Sequence, residues 1–431
     1  MLRPTGGAEP TSGHGARLPW PADAAEPRDP PVTDAQASLD VAIVGGCGHV
    51  GLPLGLAFAD RGLHVVLCDR NEQAVELVNS GRMPFDEPGA PEVLAAMRAA
   101  GRLHATTDAT AVRDAEHVVI VIGTPIDEHL NPDLGAVQAA IEEIADSLVD
   151  GQIVVLRSTV YPGVTAMIES LVERLGLDVD VAFCPERIAE GKAMVELYEL
   201  PQIVSSRSQR ALERATKLFR NLTHDVVYLT PEEAELAKLF TNTWRYIRFA
   251  TANQLFMMAN DFGLDYERIR SAIAYNYPRA ADLPRAGFAA GPCLFKDTMQ
   301  LAAFNNNNFH LGQASVSINE GLPLYVVARL EQTYDLSATT VGILGMSFKA
   351  ESDDIRSSLS YKLKRILRFK CARVLTHDPY VTVDPDLSPL DEVLRESDLL
   401  IIGSPHRIYR DVQTDAPIVD IWNLRESGVR V

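Results

Sequence analysis

The chain has 431 residues, too many for one hydrophobic core, and its 46% hydrophobic content supplies two or three. Its 58 acidic against 40 basic residues give a net charge of −18, spread along the sequence rather than blocked. That argues against nucleic acid or an anionic membrane as partner and leaves any anionic ligand to helix N-termini and a few placed cations.

No apolar run approaches the ~20 residues that span a bilayer, and the N-terminus lacks the apolar core of a signal peptide, so a cytoplasmic protein with no membrane partner is expected. Residues 1–38 are rich in Pro, Gly and Ala with almost no β-branched or aromatic residues, the composition of a disordered tail. From Asp40 short apolar runs, "VAIVG", "HVVLCD", "HVVIVIG", "QIVVLRST" and "VDVAFCPE", alternate with helical stretches. Runs of this kind are parallel strands buried on both faces, which predicts a doubly wound α/β domain over residues 39–210.

Within it, "VAIVGGCGHVGLPL" sets Gly46-x-Gly48-x-x-Gly51 directly after a strand and at the opening of a helix, with Asp69 ending the next strand. Glycines there permit a tight turn and the approach of a pyrophosphate to the N–H groups around His49 and Val50, and the acid accepts from ribose hydroxyls. Asp69 would repel a 2′-phosphate, so NAD is the expected cofactor, although Arg70 beside it is the kind of residue that suits NADP. Two later strand ends, "VIGTP" with Thr124 and "LRSTVYPG" with Ser158 and Thr159, fall where ligands bind in open α/β sheets and are candidates to line the nicotinamide pocket. "FCPERIAEG" puts Glu186 and Arg187 in a loop after an apolar strand, where a surface salt bridge is the plainer alternative.

"TPEE" marks a helix start, with Thr230 as N-cap, Pro231 at the first helical position and Glu233 closing a capping box. The helix runs to about Asn260, roughly 45 Å at 1.5 Å per residue, long enough to join domains or form a subunit interface. With the apolar stretch "FATANQLFMMA" it predicts a central helical region, residues 211–330, through which the chain forms a homodimer or larger homo-oligomer. Lys238 and Asn242, four apart, present an ammonium and an amide on one face, able to stabilise an oxyanion or take a proton from an alcohol. By spacing alone, an ordinary polar helix face is the commoner meaning of such a pair.

"AAGPCLFKDTMQL" is a Gly-Pro turn entering a helix, with Cys293 at its start and Asp297 one turn on. A thiol at a helix N-terminus beside Lys296 is expected to have a lowered pKa, the condition for a nucleophilic thiolate; a buried structural thiol is the alternative. The other cysteines, Cys47, Cys68, Cys184 and Cys371, form no close pair and no CxxC, so reduced thiols, no disulfide framework and no metal site are expected. After about 331 the strand rhythm returns in "TTVGILG", "ARVLTHDP", "LLIIGSP" and "PIVDIWN", a smaller α/β domain over 331–431. The fold class is therefore α/β: two Rossmann-like doubly wound domains joined by a long central helix and a helical dimerisation region.

Seven ordered segments, "GCGHVGLPL", "GTP", "STVYPG", "PERIAEG", "ELAKLFTNT", "CLFKDT" and "GILGMSFKAESDDIRSS", together resemble the nucleotide-sugar 6-dehydrogenases, the family of UDP-glucose, GDP-mannose and UDP-N-acetylhexosamine dehydrogenases. The resemblance runs from about Asp40 to the C-terminus. It implies a four-electron oxidation of a sugar CH2OH to a carboxylate with two NAD in succession, and a last domain that binds the UDP part of the substrate. In that scheme Cys293 traps the aldehyde as a thiohemiacetal, Lys238 and Asn242 stabilise oxyanions, Asp297 and Thr159 order the water, and Glu186 is linked to thioester hydrolysis. Arg356 matches a residue that reaches the cofactor, Lys349 one that reaches the substrate, and Arg187, Arg279 and Gly287 join the substrate set. Lys349 and Arg356, seven apart, would share a face if "FKAESDD" is helical.

Two departures bear on the substrate. The family usually carries Gly-Phe-Gly-Gly-Ser-Cys with Pro two residues later, whereas this chain reads "GFAAGPCLFKD", one residue longer, with Ala289 and Ala290 for glycines and Phe295 for the proline. UDP-glucose and GDP-mannose enzymes tend to read "PEF" where this chain has Pro185-Glu186-Arg187, and the Arg resembles the branch acting on UDP-N-acetylmannosamine or UDP-N-acetylglucosamine. The alternatives are a UDP-glucose or GDP-mannose 6-dehydrogenase, a two-electron hydroxyacid dehydrogenase in which Cys293 is structural, and a non-catalytic nucleotide-sugar or NAD-binding protein.

Overall fold

The structure, a computed structural model, describes residues 39–431 apart from 125, 126, 128–132, 134 and 290, so the tail expected at 1–38 lies outside the described residues. The apolar runs become short parallel strands: β1 (Leu39–Val44), β2 (Val65–Cys68), β3 (Leu103–Thr106), β4 (Ala115–Ile120), β5 (Ile153–Leu156), β6 (Asp180–Phe183), β7 (Gln202–Ser205) and β8 (Val226–Leu229). They form one sheet in the order β3-β2-β1-β4-β5-β6-β7-β8, with Val41 of β1 facing Val65 on one side and His117 on the other. β7 alone pairs antiparallel, with Phe183 opposite Ser205.

Period-two alternation explains why the runs are apolar throughout. Val41, Ile43, Leu67 and Val155 enter one core with Phe58 and Phe219, while their neighbours Ala42, Val66, Val118 and Val154 enter the core on the opposite face. The chain order reverses between β1 and β4, which opens a crevice at the carboxyl ends of β1, β2, β4 and β5.

The central helix spans Pro231–Asp261 and begins with the expected capping box: the Thr230 side chain accepts from Glu233 N–H, and the Glu233 carboxylate accepts from Thr230 N–H at 2.9 Å. One turn on, the buried Glu235 accepts from Gly163 N–H (2.7 Å), Thr165 N–H (2.9 Å) and the Thr165 hydroxyl (2.6 Å). This carboxylate caps the helix Val164–Arg174 and fastens the loop after β5 to the central helix.

Further along, Asn253 donates to Asn319 of the helix His310–Leu330 at 2.9 Å. That helix meets Leu359–Arg368 of the last region through Lys362 and Glu320, 3.0 Å apart. The last region is a four-stranded parallel sheet in the order β10-β9-β11-β12, built from β9 (Thr340–Leu344), β10 (Arg373–His377), β11 (Leu399–Ile402) and β12 (Ile418–Val419). Residues 345–358, which carry "FKAESDD", form a loop rather than a helix, with Glu351 and Ser357 at φ +54°. Among the described residues no helix is long and apolar enough to cross a membrane.

Replacing Glu235 by Ala leaves the buried Thr165 N–H and hydroxyl without their acceptor and releases Gly163 N–H to solvent. The substitution is expected to cost about 2 kcal/mol, read as a lowered thermal midpoint in calorimetry; an unchanged midpoint would show that Glu235 does not fasten the two elements.

Candidate active site

The glycine turn is shaped by contact. A Cβ on Gly46 would lie 2.7 Å from Ile43 O and Leu67 Cβ, and one on Gly51 would lie 2.5 Å from Gly45 O, so neither position admits a side chain. At Gly48 the nearest atom would be Gly45 O at 3.8 Å, which leaves that face open to a ligand. The helix Gly51–Asp60 that follows Val50 has no side-chain cap; Leu52 N–H donates to Gly48 O at 3.0 Å and Pro53 has no N–H, so an anion would meet the N–H groups that lead into the helix, up to Gly51. Asp69 is fixed at the end of β2 by Cys47 N–H (2.9 Å) and Asn71 N–H (3.0 Å). Arg70 turns outward to pair with Glu143 on the surface. This donor set fits a dinucleotide whose ribose is read by a carboxylate, as in NAD.

At the neighbouring strand ends, the Thr124 hydroxyl donates to Thr159 O (2.6 Å) and Ser158 Oγ accepts from Ile122 N–H (2.8 Å), tying β4 to the loop after β5. His49, inside the glycine turn, stacks on Phe85 with ring centroids 4.0 Å apart, and its Nε2 is 3.3 Å from Glu190 Oε1. Burial pushes its pKa down to about 4, so the imidazole is neutral near pH 7.

The four residues singled out for chemistry meet. Asp297, with no exposed surface, accepts from Asn242 Nδ2 at 2.5 Å through Oδ2, and its Oδ1 lies 3.0 Å from Lys296 Nζ. Lys296 also donates to the Thr124 hydroxyl at 3.2 Å, which links the cluster to the nucleotide crevice. Cys293 is the N-cap of the helix Leu294–Phe304, and its carbonyl accepts from Asp297 N–H at 2.9 Å. Lys238 lies one turn before Asn242; desolvation lowers its pKa, opposed by the charges of Asp297, Cys293 and Glu186.

The thiol corrects an expectation. Its surface is open to solvent, but its surroundings strip enough water that desolvation, and then Asp297, push the Cys293 pKa up rather than down, with Lys296, Lys238 and Arg356 only partly opposing them. Burial, with a carboxylate one helical turn away, disfavours the thiolate more than the nearby cations favour it. The resting group is a thiol.

Glu186 is buried and fully engaged. Arg157, 1% exposed, holds one carboxylate oxygen, while Arg187 N–H (2.6 Å) and Ile188 N–H (3.0 Å) take the other. Arg157 is itself aimed by Cys184 O and the Gln202 side chain, each at 2.9 Å. The Arg187 guanidinium donates to Pro201 O, so its recorded partner is a neighbouring loop. Arg279 is exposed and donates to the Tyr277 hydroxyl at 2.9 Å, a contact within its own segment.

Gly287 is clamped by Asn253, which takes its N–H at 2.9 Å and donates to its carbonyl at 3.0 Å; a Cβ there would strike the Trp422 ring at 2.3 Å. Ala290 lies outside the described residues. Gly291 has φ +108°, and a Cβ would meet the Phe348 ring at 2.8 Å. The longer cysteine loop is thus seated against the last domain by a glycine two residues before Cys293.

Lys349 and Arg356 come together without a helix. Lys349 donates to Glu190 O, and Arg356, paired with Asp354 at 2.6 Å, lies 3.7 Å from Glu190 Oε2. Desolvation raises the Glu190 pKa to about 7. His49, Glu190 and Asp354 each offer one possible metal-ligand atom, all within 4.8 Å of one another, with Arg356 paired to Asp354 and 3.7 Å from Glu190. Glu190, Lys296 and Arg157 were not among the residues expected to act. Glu190 lies inside the quoted "PERIAEG", and Arg157 is a charge that directly extends the apolar run "QIVVL", which is the signal that could have found it.

Comparison with known proteins agrees with this geometry. The pattern of the UDP-glucose/GDP-mannose dehydrogenase family matches in three parts: its NAD binding domain over residues 39–223, its central domain over 232–321 and its UDP binding domain over 342–426. A UDP-N-acetyl-D-mannosamine dehydrogenase from Pyrococcus horikoshii is 30% identical over 384 residues, covering 86% of this chain and 90% of that protein. An NDP-N-acetyl-D-galactosaminuronic acid dehydrogenase from Ralstonia nicotianae is 28% identical over 86% of this chain and 92% of its own. Among solved structures, a UDP-glucose dehydrogenase from Pyrobaculum islandicum superposes with a TM-score of 0.83 at 26% identity, over 93% of this chain and 98% of that one.

Glu190 gives a pH signature. Its pKa is about 7 in the fold against an ordinary 4.5, so the folded state binds a proton that the unfolded chain does not hold between those values. The stability it lends is present below pH 4.5 and is lost as pH rises through 7. Thermal midpoints across this window are expected to fall with pH, and Glu190→Gln to flatten the slope; equal slopes in both proteins would refute the assignment.

Proposed function

The chain belongs to the UDP-glucose/GDP-mannose dehydrogenase family, and from that premise we propose that it oxidises the C6 hydroxymethyl of a UDP-N-acetylhexosamine, UDP-N-acetyl-D-mannosamine first among them, to the carboxylate at Cys293. It is an NAD-dependent dehydrogenase of nucleotide sugars. The observation that carries the proposal is the junction of Asn242 with Asp297 at 2.5 Å, which draws the central helix and the cysteine helix to one point.

NAD, held by the open face of Gly48, the first turn after Val50 and Asp69, supplies the hydride acceptor for each oxidation. Lys238, whose pKa burial lowers, takes the proton of the sugar hydroxyl. Asn242 spends one amide N–H on Asp297 and keeps the other for the substrate oxygen. As the Cys293 sulfur adds to the aldehyde carbon, the thiol proton passes to the former carbonyl oxygen and gives a thiohemiacetal. That adduct keeps the carbon in place for the second oxidation, whereas a free aldehyde could leave or hydrate. Water ordered by Asp297 and Thr159 then cleaves the thioester, placing its oxygen on the carbon and returning a proton to sulfur.

Glu186 has both oxygens committed to Arg157 and two backbone N–H groups, so its contribution is to hold the loop and its negative field beside Lys238 rather than to move a proton. Lys349 is the substrate-facing cation of the last domain, and Arg356 reaches toward the glycine turn through Glu190. Residues 39–210, 211–330 and 331–431 serve as the NAD, central and UDP domains. Exposed Phe240, Trp244, Met258 and Phe262 on or just beyond the central helix support a homodimer through that region.

The pure protein, given NAD and a panel of UDP-sugars, is expected to form two NADH per sugar carboxylate, with the highest kcat/KM for UDP-N-acetyl-D-mannosamine. A preference for UDP-glucose would move the substrate within the family, and no turnover of any nucleotide sugar would end the proposal. Cys293→Ser is expected to yield no carboxylate, while Asn242→Ala should lower kcat by roughly 10²-fold or more; a fully active serine variant would favour a two-electron alcohol dehydrogenase. Light scattering at micromolar concentration should give at least a dimer, and a monomer would contradict the subunit reading.

A further inference from the structure

Behind Lys349 lies a dry network that the oxidation itself does not use. His406 has no exposed surface, and Ser347 and Ser404 are each 1% exposed. The His406 Nδ1 accepts from Glu351 N–H at 2.8 Å, which puts the ring proton on Nε2. That Nε2 lies 3.0 Å from Asp378 Oδ2 and 3.2 Å from Ser347 Oγ. The same Asp378 oxygen accepts from Met346 N–H (2.7 Å) and Ser347 N–H (2.9 Å), and the Ser347 hydroxyl donates to Lys349 O at 2.8 Å.

One imidazole therefore joins residues 347 and 351, with Lys349 midway between them. Glu351 is held at φ +54°, a conformation unusual for a residue with a side chain, and its carboxylate is tied to the Tyr380 hydroxyl and Arg407 N–H, both at 2.8 Å. On the outer side of the loop Phe348 is the ring against which Gly291 is seated, and the Lys349 ammonium reaches Glu190 O. The loop is thus fixed at both feet, with the lysine side chain reaching out of it to Glu190 O.

We propose that His406 is a positioning residue for the nucleotide sugar: by chording Ser347 to Glu351 across Asp378 it sets the backbone from which Lys349 meets the substrate. The inference rests on the reading that Lys349 contacts the nucleotide sugar. A four-carbon side chain aimed from a backbone free to shift by an ångström delivers its charge to no fixed point, so cutting the chord weakens sugar-nucleotide capture, whereas Asp69 and the glycine turn keep their own contact through Cys47 N–H.

The test is steady-state kinetics on the full chain, varying UDP-sugar at saturating NAD and then NAD at saturating UDP-sugar. His406→Asn keeps an acceptor near Glu351 N–H but loses reach to Asp378, and His406→Gln does the reverse. Ser347→Ala removes only the hydroxyl that holds Lys349 O. Each is expected to raise the KM for UDP-sugar by about tenfold while the KM for NAD stays within about twofold. In a Lys349→Met background the same substitutions should add nothing to the UDP-sugar KM. Equal rises in both KM values, or full additivity with Lys349→Met, would overturn the proposal in favour of a merely structural network. If the His406 variants fail to fold, Ser347→Ala decides: an unchanged UDP-sugar KM beside a raised one for Lys349→Met also overturns it. An unchanged KM for Lys349→Met itself would instead withdraw the substrate role of Lys349, and the positioning role with it.

Discussion

The buried carboxylate of Asp297 is the constraint around which the site is organised. A charge with no exposed surface costs several kcal/mol unless it is paired and hydrogen-bonded. Asn242 from the central helix hydrogen-bonds one oxygen, while Lys296 from its own helix sets its charge 3.0 Å from the other without a hydrogen bond and reaches on to Thr124 at the end of β4. One carboxylate therefore joins three segments that lie far apart in sequence. The central helix can serve this junction because Glu235, one turn before Lys238, already fixes its height against the loop after β5.

The last domain is engaged by different means. Contact there is steric and ionic: Phe348 fills the space that a side chain at Gly291 would take, Trp422 does the same at Gly287, and Glu190 collects Lys349 and Arg356 over the glycine turn. Two glycines in the cysteine loop are thus held by rings from the domain that follows.

Much of this was legible in the sequence, for identifiable reasons. Strands buried on both faces read as unbroken apolar runs, so β1, β2, β4, β5 and β6 were visible, and "TPEE" marked the central helix to within a residue. β3 and β8 carry polar or half-exposed residues at the sheet edges, and β7 ends in serine, so their runs were too short to stand out. The meeting of Lys238, Asn242, Cys293 and Asp297 followed from motif order, whereas the commitment of Glu186 to Arg157 could not, because a buried ion pair depends on which strand ends become neighbours. The Cys293 pKa was misjudged for a similar reason. A sequence shows the helix start and the adjacent lysine, but the water stripped from the thiol is a property of the assembled cleft.

That reversal changes the order in which protons must move. With the thiol pKa raised and the Lys238 pKa lowered, the two groups are drawn toward one another in proton affinity. A thiolate formed in advance would be a second anion beside Asp297 in a desolvated cleft, which raises its cost. A thiol that surrenders its proton only as sulfur bonds to carbon adds no net charge beside that carboxylate, because the proton ends on the new alkoxide. In the proposed scheme the same Lys238 that accepts the alcohol proton in the first oxidation is at hand for the hydroxyl proton of the thiohemiacetal in the second. A site that must pass through two tetrahedral stages without exchanging its catalytic groups is best served by an amine that gives up its proton more readily than a free lysine, and burial of Lys238, opposed by Asp297, Cys293 and Glu186 and aided by the Lys296 ammonium, shifts it in that direction.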